Sequence, residues 1–160
     1  MSIPTLSYQY MPSPFGQLEI AATDENLCIV RFKSERSHPT RNHEILEKTI
    51  RQLTEYFLGY RHTFDLPLAT DGTPFQQEVW RQLNRIPYGA TCSYGEIASS
   101  IHRPKAVRAV GAANGRNRMS IIVPCHRVIG ANGSLTGYAW GTSIKASLLA
   151  HEQKYKIIQS

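Results

Sequence analysis

In the first part of the chain apolar residues recur at every second position. Leu18, Ile20 and Ala22 alternate with polar or small neighbours, as do Cys28, Val30 and Phe32, which is the spacing of one face of a strand. Short strands are expected over residues 6–11, 17–23 and 27–33, with Cys28 as a small buried hydrophobe. Pro12-Ser13-Pro14-Phe15-Gly16 and Asp24-Glu25-Asn26 supply the turns between them. Residues 34–42 are polar and read as a loop. The period then lengthens: Ile45, Thr49, Leu53, Tyr56 and Phe57 fall on one helical face, and Gly59 is a natural stop. Three strands and a helix make a small α+β unit, followed by a linker over residues 66–72.

At Thr73 the pattern becomes helical throughout. Thr73-Pro74 is an N-cap with proline at the first helical position, and Phe75, Val79, Leu83 and Ile86 form an inward face that ends near Pro87 and Gly89. Residues 94–101 read as a short helix capped by Ser93, with Ile97, Ala98 and Ile101 inward. Arg103-Pro104 breaks it, and a second short helix is expected over residues 105–114. Two short helices joined by a tight break resemble a helix-turn-helix. The second one carries Ala106, Ala109, Gly111, Ala112 and Ala113, so its backbone can approach another body closely. A tightly packed helix pair and a nucleic-acid groove are the two candidates, and the neighbouring Lys105, Arg108, Arg116 and Arg118 favour nucleic acid. Asn132-Gly133 signals a turn, residues 137–141 an aromatic loop, and residues 143–153 a last helix with Ile144, Leu148 and Leu149 inward. The tail from residue 154 is expected to be poorly ordered.

Composition sharpens this division. The chain has 160 residues and a net charge of +6, but residues 1–72 hold seven Lys and Arg against nine acidic residues, and residues 73–160 hold eleven against three. Two domains, 1–72 and 73–160, are expected, with the second facing a polyanion; the plain alternative is a solvated basic face. No apolar run reaches membrane-spanning length, and the first residues carry no secretion signal. Cys28, Cys92 and Cys125 are odd in number and include no CxxC pair. A reducing cytoplasm is therefore expected, without disulfides or a cysteine-rich metal site. His38, His43 and His62 read as surface residues.

The chemistry concentrates in Ile121-Ile122-Val123-Pro124-Cys125-His126-Arg127-Val128-Ile129-Gly130. Apolar flanks belong to buried backbone, so a Cys-His-Arg triplet between them needs a reason. A free thiol has a pKa near about 8.5 and must lose its proton to act as a nucleophile. His126 is the obvious acceptor, yet neighbours on extended backbone point to opposite faces, so a bridging water is the natural route. A histidinium would want a carboxylate, and residues 73–160 offer only Glu78, Glu96 and Glu152. The residues alone leave that choice open.

The Pro-Cys-His-Arg-Val run closely resembles the alkyl-acceptor site of the O6-alkylguanine-DNA alkyltransferases, of the stand-alone bacterial kind, and the resemblance extends from Thr73 to Glu152. It implies a relay of Cys125, a water, His126 and Glu152, the last being the glutamate of His151-Glu152. It also implies that Tyr94 crowds the DNA backbone and gives a proton to the departing guanine. Arg108 would fill the space left by a flipped base, and Asn117 would hold the turn before the acceptor, with Arg127 packed beside the site. Val128, Tyr138, Ala139 and Trp140 would line the guanine pocket, while Lys105, Ala106, Ala109 and Arg116 join Arg108 and Tyr94 against the minor groove. The implied fold is α+β: a small antiparallel sheet with a helix, then a mostly helical, winged-helix-like domain.

The implied activity is single-turnover transfer of an alkyl group from O6-alkylguanine, and O4-alkylthymine, in duplex DNA to Cys125, by a monomer without cofactor or metal. A lesion inside the base stack reaches a buried thiol only by extrusion. Trp140 departs from the glycine of many members, which points to poorer acceptance of bulky adducts. A cysteine hydrolase built on Cys125, His126 and Glu152 would leave the basic helix unexplained. A DNA-binding regulator, or a damage-binding relative without chemistry, would leave Cys125 unexplained.

Overall fold

Alternating apolar residues produce three antiparallel strands at the start of the computed structural model, which describes residues 5–156. β1 (Ser7–Met11), β2 (Leu18–Ala22) and β3 (Leu27–Phe32) form one sheet in that order, with Leu18 opposite Met11 on one side and Phe32 on the other. The central strand is buried at every position, Glu19 included. Its carboxylate accepts from Tyr10 Oη at 2.7 Å and Arg31 Nε at 2.7 Å. Burial alone would raise the Glu19 pKa; these donors outweigh it and hold the carboxyl lowered.

The expected alternation holds at Val30 and Phe32 but fails at the start of β3. A register shift between Ala21 and Ala22 sets Ala22 opposite Leu27. Leu27 is therefore buried and Cys28 only half-buried, because a one-residue slip exchanges the faces of a strand.

α1 (Glu44–Phe57) packs on β1 and β2 through Leu46, Thr49, Gln52, Leu53 and Tyr56, leaving Ile45 at the margin. His43 Nδ1 accepts from the Ile45 amide at 3.2 Å and caps the helix. Gly59 closes it at φ 88°, with its amide on the Tyr56 carbonyl and that of Tyr60 on the Glu55 carbonyl. His38 stacks on Tyr8 with ring centroids 3.8 Å apart. Together with half-buried His62, these histidines are partly enclosed rather than surface groups, contrary to the sequence reading. The start of the expected linker runs along β3: the Leu27 amide donates to Pro67 O at 2.7 Å and the Ala69 amide to Leu27 O at 2.9 Å. The chain divides into two compact units, Met1–Ala69 and Thr70–Ser160.

In the second unit α2 (Pro74–Leu83) starts in a reciprocal capping box between Thr73 and Gln76, and Val79, Leu83 and the following Ile86 are buried. Each of those side chains contributes about 1.5–3 kcal/mol relative to exposure. β4 (Cys92–Ser93) leads into α3 (Tyr94–Ser100), where Ser93 and Glu96 form a second capping box. His102 takes the left-handed position that ends α3, at φ 61°. Its amide donates to Ser99 O, and the Arg103 amide donates to Ala98 O. A turn over residues 103–106 delays α4 to Val107–Gly115, two residues later than expected. α2 packs against both α3 and α4. β5 (Val128–Ile129) pairs in parallel with β4, and α5 (Thr142–Tyr155) packs against residues 125–127. Lys154 and Tyr155 belong to that helix, so the tail begins later than expected; residues 157–160 lie outside the described residues.

Candidate active site

Two tight turns bring the chain to Cys125. The Ile122 amide donates to Ser120 O at 2.8 Å around Ile121, which sits at φ 73°. This is the rarer, strained form of the γ-turn, and a β-branched residue there is an outlier. The Cys125 amide then donates to Val123 O at 2.8 Å around Pro124, at φ −81° and ψ 63°, the relaxed form. Cys125, His126 and Arg127 follow as one turn of 3₁₀ helix. The acceptor stretch is therefore coiled rather than extended, and its side chains fan out instead of alternating.

Asparagine fixes this turn from two sides. Asn117 Nδ2 donates to Val123 O at 2.8 Å and to Cys125 Sγ at 3.1 Å, while its Oδ1 accepts from the Met119 amide at 3.0 Å. Asn114, in the last turn of α4, donates through Nδ2 to Cys125 O at 3.3 Å. Burial raises the Cys125 thiol pKa; the Asn117 hydrogen bond and the charge of Lys145 act against it. The resting group is a neutral, buried thiol whose anion has two stabilisers in place.

Glu152 reaches the turn from α5. His126 Nε2 lies 2.7 Å from Glu152 Oε2, Arg127 Nε donates to Oε1 at 2.8 Å, and Arg127 Nη2 donates to Oε2 at 3.0 Å. Arg127 Nη1 donates to Ile86 O at 2.8 Å, and the Gly89 amide donates to Glu152 Oε1 at 3.2 Å. Burial by itself would raise the Glu152 pKa, but the hydrogen bonds from His126 and Arg127 and the Arg127 charge hold it well below the carboxylate range. Burial lowers the His126 pKa, with Glu152 opposing and Arg127 assisting. The ring is thus neutral beside a carboxylate that only accepts, so its proton sits on Nε2. Nδ1 is a buried acceptor with no hydrogen-bond partner.

A third group lies within electrostatic reach of the thiol. Tyr94 Oη donates to Thr136 O at 2.9 Å, and buried Lys145 Nζ donates to the same oxygen at 3.0 Å. Lys145 Nζ also lies 5.8 Å from the Tyr94 ring centroid. Burial raises the Tyr94 and Tyr138 phenols, and Cys125 raises both further once it is a thiolate. Val128 and Tyr138 are buried, and Ala139 is exposed. Trp140 is half-buried, with Nε1 donating to Ser120 Oγ at 2.7 Å. On α4 and its flanks Lys105, Arg108, Ala109, Arg116 and Arg118 are exposed, with Ala106 at the margin.

Cys125, His126 and Glu152 therefore come together as a buried group in the second unit, with half-buried Asn117 and Tyr94 at its edge. The sequence reading missed Asn114 and Lys145 and understated Arg127. Lys145 did leave a signal: it lies three residues before Leu148 and seven before Glu152, on the inward face of α5, where a lysine needs a partner. Among the described residues no group of three His, Cys, Asp or Glu is placed to hold a metal ion, and no helix is long and apolar enough to cross a membrane.

Comparison with known proteins places this geometry among relatives. Residues 6–70 match the ribonuclease-like domain of 6-O-methylguanine DNA methyltransferase, and residues 74–154 match its DNA binding domain. A methylated-DNA–protein-cysteine methyltransferase of Methanosarcina acetivorans is 50% identical over 151 residues, which cover 91% of this chain and 97% of that protein. The constitutive one of Bacillus subtilis is 47% identical over 156 residues, covering 91% and 94%. The crystal structure of Mycobacterium tuberculosis OGT in complex with DNA superposes with a TM-score of 0.85 at 46% identity, covering 93% of this chain and 94% of that one.

Proposed function

Because the chain belongs to the 6-O-methylguanine DNA methyltransferase family, we propose that it repairs duplex DNA by moving the alkyl group of O6-alkylguanine onto Cys125, once per molecule. The single observation that carries the assignment is a buried Cys125 thiol held by Asn117 at 3.1 Å, beside a neutral His126 already hydrogen-bonded to Glu152 at 2.7 Å.

The thiol proton passes through an intervening water to His126 Nδ1, whose Nε2–H stays on the Glu152 carboxylate. The thiolate attacks the alkyl carbon, the S–C bond forms as the C–O6 bond breaks, and the electron pair leaves with guanine. Tyr94 supplies a proton to the departing base, and Lys145 supports negative charge on sulfur and then on the phenolate. The product thioether resists hydrolysis, so no second nucleophile is required. Arg108 fills the stack after extrusion. Lys105 and Arg116 face the phosphates, with Ala106 and Ala109 against the groove. Val128, Tyr138, Ala139 and Trp140 bound the base, and O4-alkylthymine is a second substrate. The protein acts as a monomer in the cytoplasm, with neither metal nor cofactor.

Intact mass after incubation with duplex containing O6-methylguanine tests this. One methyl group on Cys125, absent in Cys125→Ser, is the expected result. Unchanged mass, or turnover of excess substrate, refutes it. Arg108→Ala is expected to slow repair of the duplex by at least about tenfold, and to slow reaction with a free alkylated base far less.

A further inference from the structure

Asn114 is 1% exposed in the last turn of α4, a place where leucine or methionine would fill the space without polar atoms. Instead its Nδ2 donates to the Cys125 carbonyl at 3.3 Å, and its Oδ1 is buried with no hydrogen-bond partner. A buried acceptor without a partner is unfavourable, so the fold by itself gives little reason for an amide here. Reversing the amide would set two acceptors face to face, which fixes its orientation. With Oδ1 unpartnered, the Cys125 carbonyl is the polar group that orients the side chain. Three residues on, Asn117 holds the sulfur of the same cysteine. Asn114 differs from it in standing on α4, the helix whose outer face presents Arg108, Ala109 and Ala112.

We propose that Asn114 is a positioning residue for alkyl transfer, coupling the seating of α4 on duplex DNA to the alignment of the Cys125 thiol. This rests on Cys125 being the acceptor. A force on the outer face of α4 reaches the main chain of the cysteine through the Asn114 hydrogen bond, beside the hold that Asn117 has on its sulfur. Displacing the end of the helix displaces the Cys125 carbonyl, and with it the peptide that joins the nucleophile to His126. Small changes in the approach of reacting atoms are large changes in rate.

Asn114→Leu keeps the volume and removes the amide. Two quantities are to be measured separately: affinity for undamaged duplex, and the single-turnover rate at saturating O6-methylguanine duplex. Affinity is expected to stay within about twofold and the saturated rate to fall at least about tenfold, with reaction toward free O6-benzylguanine changed much less. A saturated rate like that of the parent overturns the proposal. So does an equal loss on duplex and free base, which marks general damage to the thiol. A readout on the parent protein needs no variant. The ¹⁵N side-chain amide resonances of Asn114 should shift when undamaged duplex is added, and constancy while the Arg108 backbone amide moves overturns the coupling. If the parent itself is never alkylated, the acceptor reading is what fails, and the resonance measurement still reports on Asn114.

Discussion

Arg127 grips Glu152 at both oxygens, at 2.8 and 3.0 Å, on the same carboxylate that lies 2.7 Å from His126 Nε2. The forked pair neutralises the carboxylate before the histidine meets it. His126 is therefore oriented by Glu152 without being driven to the imidazolium form. An imidazolium would have no capacity left to take the proton of Cys125.

Replacing Arg127 by methionine leaves a buried carboxylate facing His126 alone. The loss expected from breaking such a pair is about 3–5 kcal/mol, and the imidazole pKa should rise. Urea unfolding and ¹⁵N chemical shifts of the His126 ring measure the two effects. A parent-like unfolding midpoint would sink the assignment of Arg127 as the clasp of Glu152.

Acid should destabilise the protein in two stages. The folded pKa of His126 is lowered by burial, so below the ordinary histidine value of about 6.5 the unfolded chain takes up a proton that the folded chain refuses. Stability then falls as pH falls. Glu152 is lowered as well, and its contribution, complete above the ordinary glutamate value of about 4.3, is lost below that value. Denaturant midpoints between pH 8 and 4, compared with those of His126→Gln, should show the upper stage only in the parent. The same lowered histidine keeps the base available under mild acid, so the acid limb of the transfer rate should lie below pH about 6.5.

Gly137 and Gly111 make an internal contrast. Gly137 lies at φ 82°, and an added Cβ would come 2.6 Å from Tyr94 Oη. Gly137→Ala should lose about 1–3 kcal/mol and break the bond from Tyr94 to Thr136. Gly111 is helical, and its added Cβ would sit 4.0 Å from Tyr94 Cδ1, an ordinary contact. Gly111→Ala should be neutral or gain up to about 1 kcal/mol from helix propensity. Thermal unfolding of the two variants decides it, and similar midpoints contradict the argument.

Trp140 is pinned by Ser120 at 2.7 Å beside the buried Tyr138. Its bulk is expected to hinder large adducts, so Trp140→Gly should raise the rate on O6-benzylguanine relative to O6-methylguanine by about tenfold. Single-turnover rates on the two substrates test this. Benzyl transfer by the parent as fast as methyl transfer, or faster, rejects it.

Elements that rest on local chemistry were legible in the sequence. Thr73-Pro74 and Ser93 announce helix starts, and the structure makes both caps reciprocal through Gln76 and Glu96. Cys125, His126 and Glu152 could be named because a motif resemblance linked them, whereas composition left three glutamates in play. The rest depended on backbone that no periodicity encodes. The slip at Ala21 exchanged Cys28 for Leu27. The two γ-turns at Ile121 and Pro124 turned an expected extended run into a coil, and only then do neighbouring side chains serve different partners. Asn114 escaped notice because a polar residue in a helix of alanines and glycines reads as solvent-facing until its burial is known.

The oxygen of Thr136 moors its loop to the site, with Tyr94 and Lys145 both made fast to it. A main-chain oxygen is present whatever side chain the residue carries. Residue 136, exposed to solvent, can therefore drift in sequence without loosening the loop, whereas residue 137 is bound to glycine by its backbone angle and by the Tyr94 hydroxyl. Mutational scanning of the loop should accordingly find a permissive position directly beside a forbidden one, and adduct preference can evolve at the permissive positions while the anchoring of the acceptor site is inherited intact.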